Sequence, residues 1–277
     1  MSKATRVDLV VIDPQNDFCD PKGALYVKGA EKDMDRLTKF VNRTAKKLAN
    51  IAVTLDSHHL LDLAHPGFWR DSKGKSPAPF TIISSSDIEQ GRWTPFQPSL
   101  TKRMVAYAKA LETGGRYPLC VWPPHCLIGS AGAAVYPSLF EALNGWASET
   151  GSIIEWVSKG SNVFTEHYSA VRAEVPDSQD PSTMINADFI NRLMEADMIA
   201  IAGEAGSHCV ANTVTDIANE FKDDSFVKKI VLLEGCYSPV PIPLPDGTDL
   251  GLKMQTDFIK EMTGRGMQVV KSSDFLA

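Results

Sequence analysis

Cys209 stands where a glycine-containing stretch, Gly203-Glu204-Ala205-Gly206-Ser207-His208, passes into a helical pattern with Val210, Thr213, Val214 and Ile217 on one face. A thiol at that junction lies beside the positive end of a helix macrodipole, which favours the thiolate, the form that attacks carbon. Lys159 follows another apolar run, and it would add a second positive charge if the two strands are neighbours. Position alone leaves a buried packing cysteine as open as a nucleophile. Asp13 ends the apolar run Val7–Ile12 and precedes the polar turn Pro14-Gln15-Asn16-Asp17-Phe18. A partly buried carboxylate there can carry a proton to and from reacting atoms, whereas Asp17 or Asp20 would serve as a turn or helix cap.

A second chemistry is suggested by Asp56-Ser57-His58. At a strand end, residues two apart point the same way, so Asp56 and His58 can share one ion while His59 faces elsewhere. His125, in Trp122-Pro123-Pro124-His125-Cys126, is the natural third ligand, because two prolines stiffen that segment. One carboxylate and two imidazoles with open positions suit Zn²⁺, or Fe²⁺ or Mn²⁺. His65 is a candidate fourth ligand, and Cys126 reads as packing. An isolated Asp-x-His is more often without a metal than with one. The six histidines (58, 59, 65, 125, 167, 208), three of them close together, shift that balance modestly.

These residues need a frame that brings them together. Short β-branched runs at Val7–Ile12, Ile51–Leu55, Ile153–Val157, Met198–Ala202, Lys229–Leu233 and Met267–Val270 read as buried strands. Helical periodicities lie between them, at Glu31–Ala49, Ser138–Trp146, Ala187–Met194, Cys209–Phe221 and Leu252–Thr263. Alternating apolar strands and helices predict a parallel, mostly six-stranded sheet covered on both faces, a three-layer α/β/α fold built as a single domain over 1–277. In such a sheet ligand groups gather at the carboxyl ends of the strands, where Asp13, Asp56, Lys159 and the 203–209 stretch all fall. Residues 70–117 interrupt the rhythm with Ser72-Lys73-Gly74-Lys75-Ser76-Pro77 and a helical pattern over Leu100–Leu111. That length suggests a lid or interface element, with too little apolar content for a core of its own.

Composition narrows the function classes. The 277 residues, 43% hydrophobic, suffice for a substantial core and exclude a disordered or fibrous chain. With 28 Lys+Arg against 34 Asp+Glu, the net charge of −6 repels phosphate backbones and anionic lipid, so no nucleic acid partner is expected. No apolar run reaches membrane-spanning length, and the N-terminus lacks a secretory h-region, which predicts a cytoplasmic protein without membrane contact. Cys19, Cys120, Cys126, Cys209 and Cys236 are an odd, scattered set that reads as reduced thiols.

Five stretches in order carry a resemblance: Val10-Val11-Ile12-Asp13-Pro14-Gln15-Asn16-Asp17-Phe18; Thr54-Leu55-Asp56-Ser57-His58; Trp122-Pro123-Pro124-His125-Cys126 with Gly132 and Ala133; Lys159-Gly160 with Tyr168-Ser169-Ala170; and Gly203-x-Ala205-x-x-His208-Cys209-Val210-x-x-Thr213-x-x-Asp216. Together they resemble the cysteine amidohydrolases of the isochorismatase-like superfamily, most closely the nicotinamidases. The resemblance implies a catalytic triad at Asp13, Lys159 and Cys209, metal ligands at Asp56, His58 and His125 with His65 nearby, and aromatic walls at Phe18, Trp122 and Tyr168. It also implies an oxyanion hole from the N–H groups of Ala205 and Cys209, with a cis peptide between Glu204 and Ala205. The implied activity is hydrolysis of nicotinamide to nicotinate and ammonia through a cysteine thioester, a divalent metal orienting the pyridine ring, in a homo-oligomer serving NAD salvage. The chain departs from the family pattern at Ser57, at Glu204, in the His58-to-His65 spacing and in the insertion. Another small amide or carbamoyl substrate is the alternative within the class; a non-catalytic binding protein or a redox thiol protein are alternatives outside it. Isochorismatase itself is disfavoured because vinyl-ether hydrolysis needs no cysteine.

Overall fold

The computed structural model describes residues 5–221 and 224–277; residues 1–4, part of the stretch read for a leader, lie outside the described residues. Six strands, β1 (Val7–Ile12), β2 (Leu48–Asp56), β3 (Glu155–Lys159), β4 (Met198–Gly203), β5 (Ile230–Glu234) and β6 (Gln268–Lys271), form one sheet in the order β6-β5-β4-β1-β2-β3. Every pairing in it is parallel. The chain builds outward from β1 in one direction through β3, then returns to the other side of β1 with β4, so strand order reverses at β1.

Successive side chains of β1 face opposite layers. Val7, Leu9 and Val11 pack with Met34, Leu37 and Phe40 of α1 (Ala30–Thr44) and with Leu139, Leu143 and Trp146 of α3 (Pro137–Thr150). Val10 and Ile12 pack with residues of α4 (Ala187–Met194), α5 (Cys209–Glu220) and α6 (Leu250–Gly264) on the other face. Burial on both faces is why β1 is apolar nearly throughout, and the three-layer expectation holds. Among the described residues no helix is long and apolar enough to cross a membrane.

Several boundaries differ from the sequence reading. The helical pattern over Glu31–Ala49 stops at Thr44, passes through a 3₁₀ turn at Ala45–Lys47, and gives way to β2. Leu48 is paired with Val7 across the sheet, so ladder hydrogen bonds override local helical periodicity there. The third strand starts later than expected, since Ile153 is 91% exposed and pairing begins with Glu155 beside Ala52. It then runs on to Lys159, opposite Asp56, a register that sets a cation beside a carboxylate.

The insertion also differs. Its helix forms as expected, α2 (Thr101–Gly114), and two antiparallel ribbons appear, 69–70 with 94–95 and 81–83 with 119–121. It packs in a third apolar cluster that it shares with the flanking chain, in which Ile83, Ile88, Met104 and Leu111 meet Leu63, Phe68, Trp69, Leu119 and Val121. The five flanking residues lie outside 70–117, so counting apolar content within those limits missed half of the core. Trp69 is fully buried and its indole N–H donates to Leu63 O at 2.7 Å. Trp69→Ala is expected to cost about 3–5 kcal/mol in urea unfolding; a loss below about 1 kcal/mol would mean the cluster does not hold the insertion in place.

Candidate active site

Asp13 leaves β1 with a positive φ of 43°, which turns its carboxylate off the strand line. Thr54 of β2 holds it there, donating its hydroxyl to Asp13 Oδ1 at 2.5 Å and accepting the Asp13 N–H at 3.0 Å. From β3, Lys159 Nζ lies 2.9 Å from Asp13 Oδ2, 3.1 Å from Asp56 Oδ1 and 3.7 Å from Cys209 Sγ. All four side chains are buried. Four segments separated by up to 196 positions, from Asp13 to Cys209, thus meet around one ammonium.

Burial works against the Lys159 charge, but Asp13 and Asp56 overcome it and hold the ammonium well above its ordinary range. Burial lifts Asp13 against the pull of Lys159 and Thr54. Asp56 is held well below the usual carboxylate range, because His58 and Lys159 outweigh its desolvation. Cys209 goes the other way from the expectation built on the helix dipole. Burial pushes its thiol well above the ordinary value, Lys159 opposes, and Asp13 and Asp56 add to the rise. The lysine's charge is already shared with two carboxylates that lie nearer than the sulfur. The resting site therefore favours a thiol with a carboxylate beside it, and the sulfur needs a base.

The second cluster adjoins the first through Asp56. His58 Nε2 and His125 Nε2 approach Asp56 Oδ2 at 3.0 and 3.4 Å, and ligand atoms of all three residues lie within 4.8 Å of one another. The far nitrogens are occupied: His58 Nδ1 faces Asp62 Oδ2 at 3.0 Å and His125 Nδ1 faces Pro123 O at 2.8 Å. With Nδ1–H donated outward, each Nε2 presents a lone pair toward a carboxylate oxygen. Such lone pairs coexist comfortably only with a proton or a cation between them, and the donor set fits a divalent metal. His65 is fully buried with Nε2 3.4 Å from His125 Nδ1, beside the triplet but not within it. Gly160, at φ 84°, has no room for a side chain, since a Cβ would come within 2.7 Å of Asp56 Oδ1. Asp17 caps no helix; its Oδ2 accepts the Cys126 N–H at 2.7 Å, pinning the loop that carries His125.

Phe18, Trp122, Tyr168, Ala205 and Cys209 line one cavity together with Asp56, His58 and His125. The Trp122 indole N–H donates to Tyr168 Oη at 3.1 Å, and the Phe18 ring lies 5.4 Å from His125. The Glu204–Ala205 peptide is cis. Helix α5 starts at Cys209, so its N–H belongs to the first turn, where donors have no intrahelical acceptor.

Leu25, Val27, Glu166, His167, His208 and Val240 also line the cavity and had no assigned role. For Glu166 and His167 the available signal was two ionisable residues in tandem directly before Tyr168. Burial pushes Glu166 up to about 8 and lowers His167 to about 3. His208 stacks on Tyr117 at 4.9 Å, faces Ser207 Oγ at 2.8 Å, and is lowered to about 4 by burial alone.

No protein-family model matches the sequence, and no curated protein matches it. The three-dimensional structure is similar to solved structures: the chain shares the α/β fold of nicotinamidase and pyrazinamidase structures. A nicotinamidase/pyrazinamidase of Acinetobacter baumanii is 19% identical with a TM-score of 0.62, the match covering 99% of this chain and 100% of that one. The yeast nicotinamidase Pnc1p is 19% identical with a TM-score of 0.60, covering 95% and 99%. The pyrazinamidase of Pyrococcus horikoshii in complex with zinc is 20% identical with a TM-score of 0.55, covering 96% and 99%.

Two outcomes follow from this geometry. Asp62→Asn is expected to weaken Zn²⁺ binding by about 10–100-fold while leaving the triplet itself in place; unchanged affinity by competition with a chelating dye would remove Asp62 as the orienting partner of His58. His208 is depressed from 6.5 to about 4 in the folded chain, so the unfolded chain binds more protons between those values and stability falls as pH drops through that window. His208→Gln should flatten this acid limb in urea unfolding at pH 4 to 7; an unchanged limb would assign it to another group.

Proposed function

We propose that this chain is a cysteine amidohydrolase that converts nicotinamide to nicotinate and ammonia, with 1–277 acting as one catalytic unit. The observation that carries the reading is the meeting of Asp13, Lys159 and Cys209 in one buried cluster that shares Asp56 with a carboxylate–imidazole triplet. Its occurrence on the fold of nicotinamidase structures supports it, among them an L. infantum PnC1 in complex with nicotinate, 22% identical.

In this reading Asp13 takes the proton of the Cys209 thiol as the sulfur attacks the carboxamide carbon. The oxyanion that forms is held by the N–H groups of Ala205 and Cys209. Asp13 then gives its proton to the departing nitrogen, so ammonia leaves and a thioester remains. Water, deprotonated by Asp13, attacks the thioester; the carbonyl–sulfur bond breaks, the acid is released and the thiol is restored. Lys159 favours the charged form of Asp13 before each proton transfer and keeps its carboxyl aimed at the site. Phe18, Trp122 and Tyr168 form the walls for a planar ring. Asp56, His58 and His125 would hold a divalent metal, Zn²⁺ by the donor set with Fe²⁺ or Mn²⁺ as alternatives. Such an ion would supply a Lewis acid that orients the ring through the pyridine nitrogen, directly or through a water.

One observation favours a second substrate. An apolar recess lined by Phe80, Ile82, Cys120, Ile242 and Met254 shares Trp122, Tyr168, His208 and Val240 with the catalytic cavity. The insertion contributes Phe80 and Ile82, and the recess would accept a carboxamide bulkier than nicotinamide on the same machinery.

Ammonia release from nicotinamide by the purified protein, with metal content read on the same sample, tests the proposal. Cys209→Ala should lower turnover by at least about a thousandfold without loss of folding. Turnover that survives in Cys209→Ala refutes the nucleophile. A folded, metal-loaded wild type that spares nicotinamide but hydrolyses a larger aryl carboxamide would select the second substrate.

A further inference from the structure

Glu204 is wholly buried, yet it is not among the residues that line the catalytic cavity. Its Oε2 accepts the Ser238 N–H at 3.1 Å, while Oε1 has no hydrogen-bond donor. The group it meets is a second carboxyl, Asp33 of α1, 2% exposed. Asp33 is fully supplied with donors: Oδ1 pairs with Arg36 at 2.5 Å and Oδ2 accepts the Ser238 hydroxyl at 2.5 Å. Two buried carboxyls in contact cannot both carry charge, and one proton between them provides the donor that Glu204 Oε1 lacks. Burial and the neighbouring Asp33 push Glu204 well above the usual carboxylate range, which places the proton on Glu204. Among the described residues the other titratable groups around the pair are Cys19 and Cys236, both raised by burial and therefore neutral thiols, Tyr237, pushed up to about 12 by burial, Tyr26, raised by its bond to Glu31, and Arg36, an opposing charge.

Ser238 links this pair to the nucleophile loop. Besides its two bonds to the carboxyls, its carbonyl accepts the Gly206 N–H at 2.7 Å. The residues on either side of Ala205 are thus held by one residue, and the Glu204 N–H donates to Ile12 O at 2.8 Å, directly before Asp13. The next turn repeats the tie, with Val240 N–H donating to Ser207 Oγ at 3.0 Å. We propose that Glu204 is a positioning residue of the amide-hydrolysing site: it shares one proton with Asp33, and this acid–carboxylate pair, through Ser238, fixes the backbone of Ala205 as an oxyanion donor. The inference rests on the amidohydrolase reading for its catalytic consequence and on the contacts alone for the shared proton. Loss of the proton at high pH puts two charges side by side, frees Glu204 from Asp33 and loosens the loop, so activity should carry an alkaline limb set by this pair.

Glu204→Gln keeps the shape, the acceptor for Ser238 and a donor for Asp33, but has no proton to lose. It should restore the kcat that Glu204→Leu loses, about tenfold or more with little change in KM, and should abolish the alkaline fall in kcat. The infrared difference spectrum, full-length wild type minus Glu204→Gln, should hold a protonated-carboxyl band at neutral pH that disappears on alkalinisation, the contribution of Glu166 being common to both proteins and cancelling. Amide hydrogen exchange at 204–209 should rise with pH beyond the intrinsic rate in wild type and not in Glu204→Gln. No such band, an unchanged alkaline limb in the Gln variant, or normal kcat in a folded Leu variant would overturn the proposal. If wild type releases no ammonia from nicotinamide, the proposed function fails, while the infrared and exchange results still decide the shared proton and the clamp.

Discussion

Lys159 carries a positive charge in a place with almost no water, and such a charge is stable only because carboxylates on two neighbouring strands reach it. That requirement fixes much else. The parallel register must set Asp56 beside Lys159, the end of β1 must turn so that Asp13 approaches from the other side, and Thr54 must hold it there. Removing either carboxylate would leave the buried ammonium with one partner in place of two, so the geometry of the cluster and the local stability of the sheet edge are the same interaction.

The same charge balance sets the chemistry. One ammonium between two carboxylates leaves little attraction for the more distant sulfur, and burial then keeps Cys209 as a thiol. In the proposed reaction such a site relies on Asp13 as the base and not on a preformed thiolate. Asp56 belongs to both clusters: one oxygen faces Lys159 and the other faces the two imidazoles. The carboxylate–imidazole triplet and the Asp13–Lys159–Cys209 cluster are thereby joined through a single carboxylate.

The surrounding loops act as clamps. Asp17 pins the His125 loop, Gly160 gives Asp56 room, and Ser238 binds the loop after Cys236 to the nucleophile turn. The insertion lends Phe80 and Ile82 to the apolar recess beside the cavity, and its own helix packs in a cluster apart from the two that cover the sheet.

Much of this was legible in the residues. Apolar runs closed by Asp13, Asp56 and Lys159 marked strands and the edge where their ends gather, and the helical pattern after Cys209 placed the thiol at a helix start, because periodicity and burial are local consequences of side-chain type. The pairing of Leu48 with Val7 was not legible, nor the start of β3 at Glu155, since a ladder partner decides where a strand begins. Neither was the core of the insertion, whose residues come from both sides of it. The sequence by itself determined which groups were available and on which strand ends they lay. Only the tertiary structure decided that Lys159 is shared by Asp13 and Asp56, that Cys209 is held as a thiol, and that Glu204 meets Asp33, because charge states depend on distances and desolvation that exist only once remote segments are packed together.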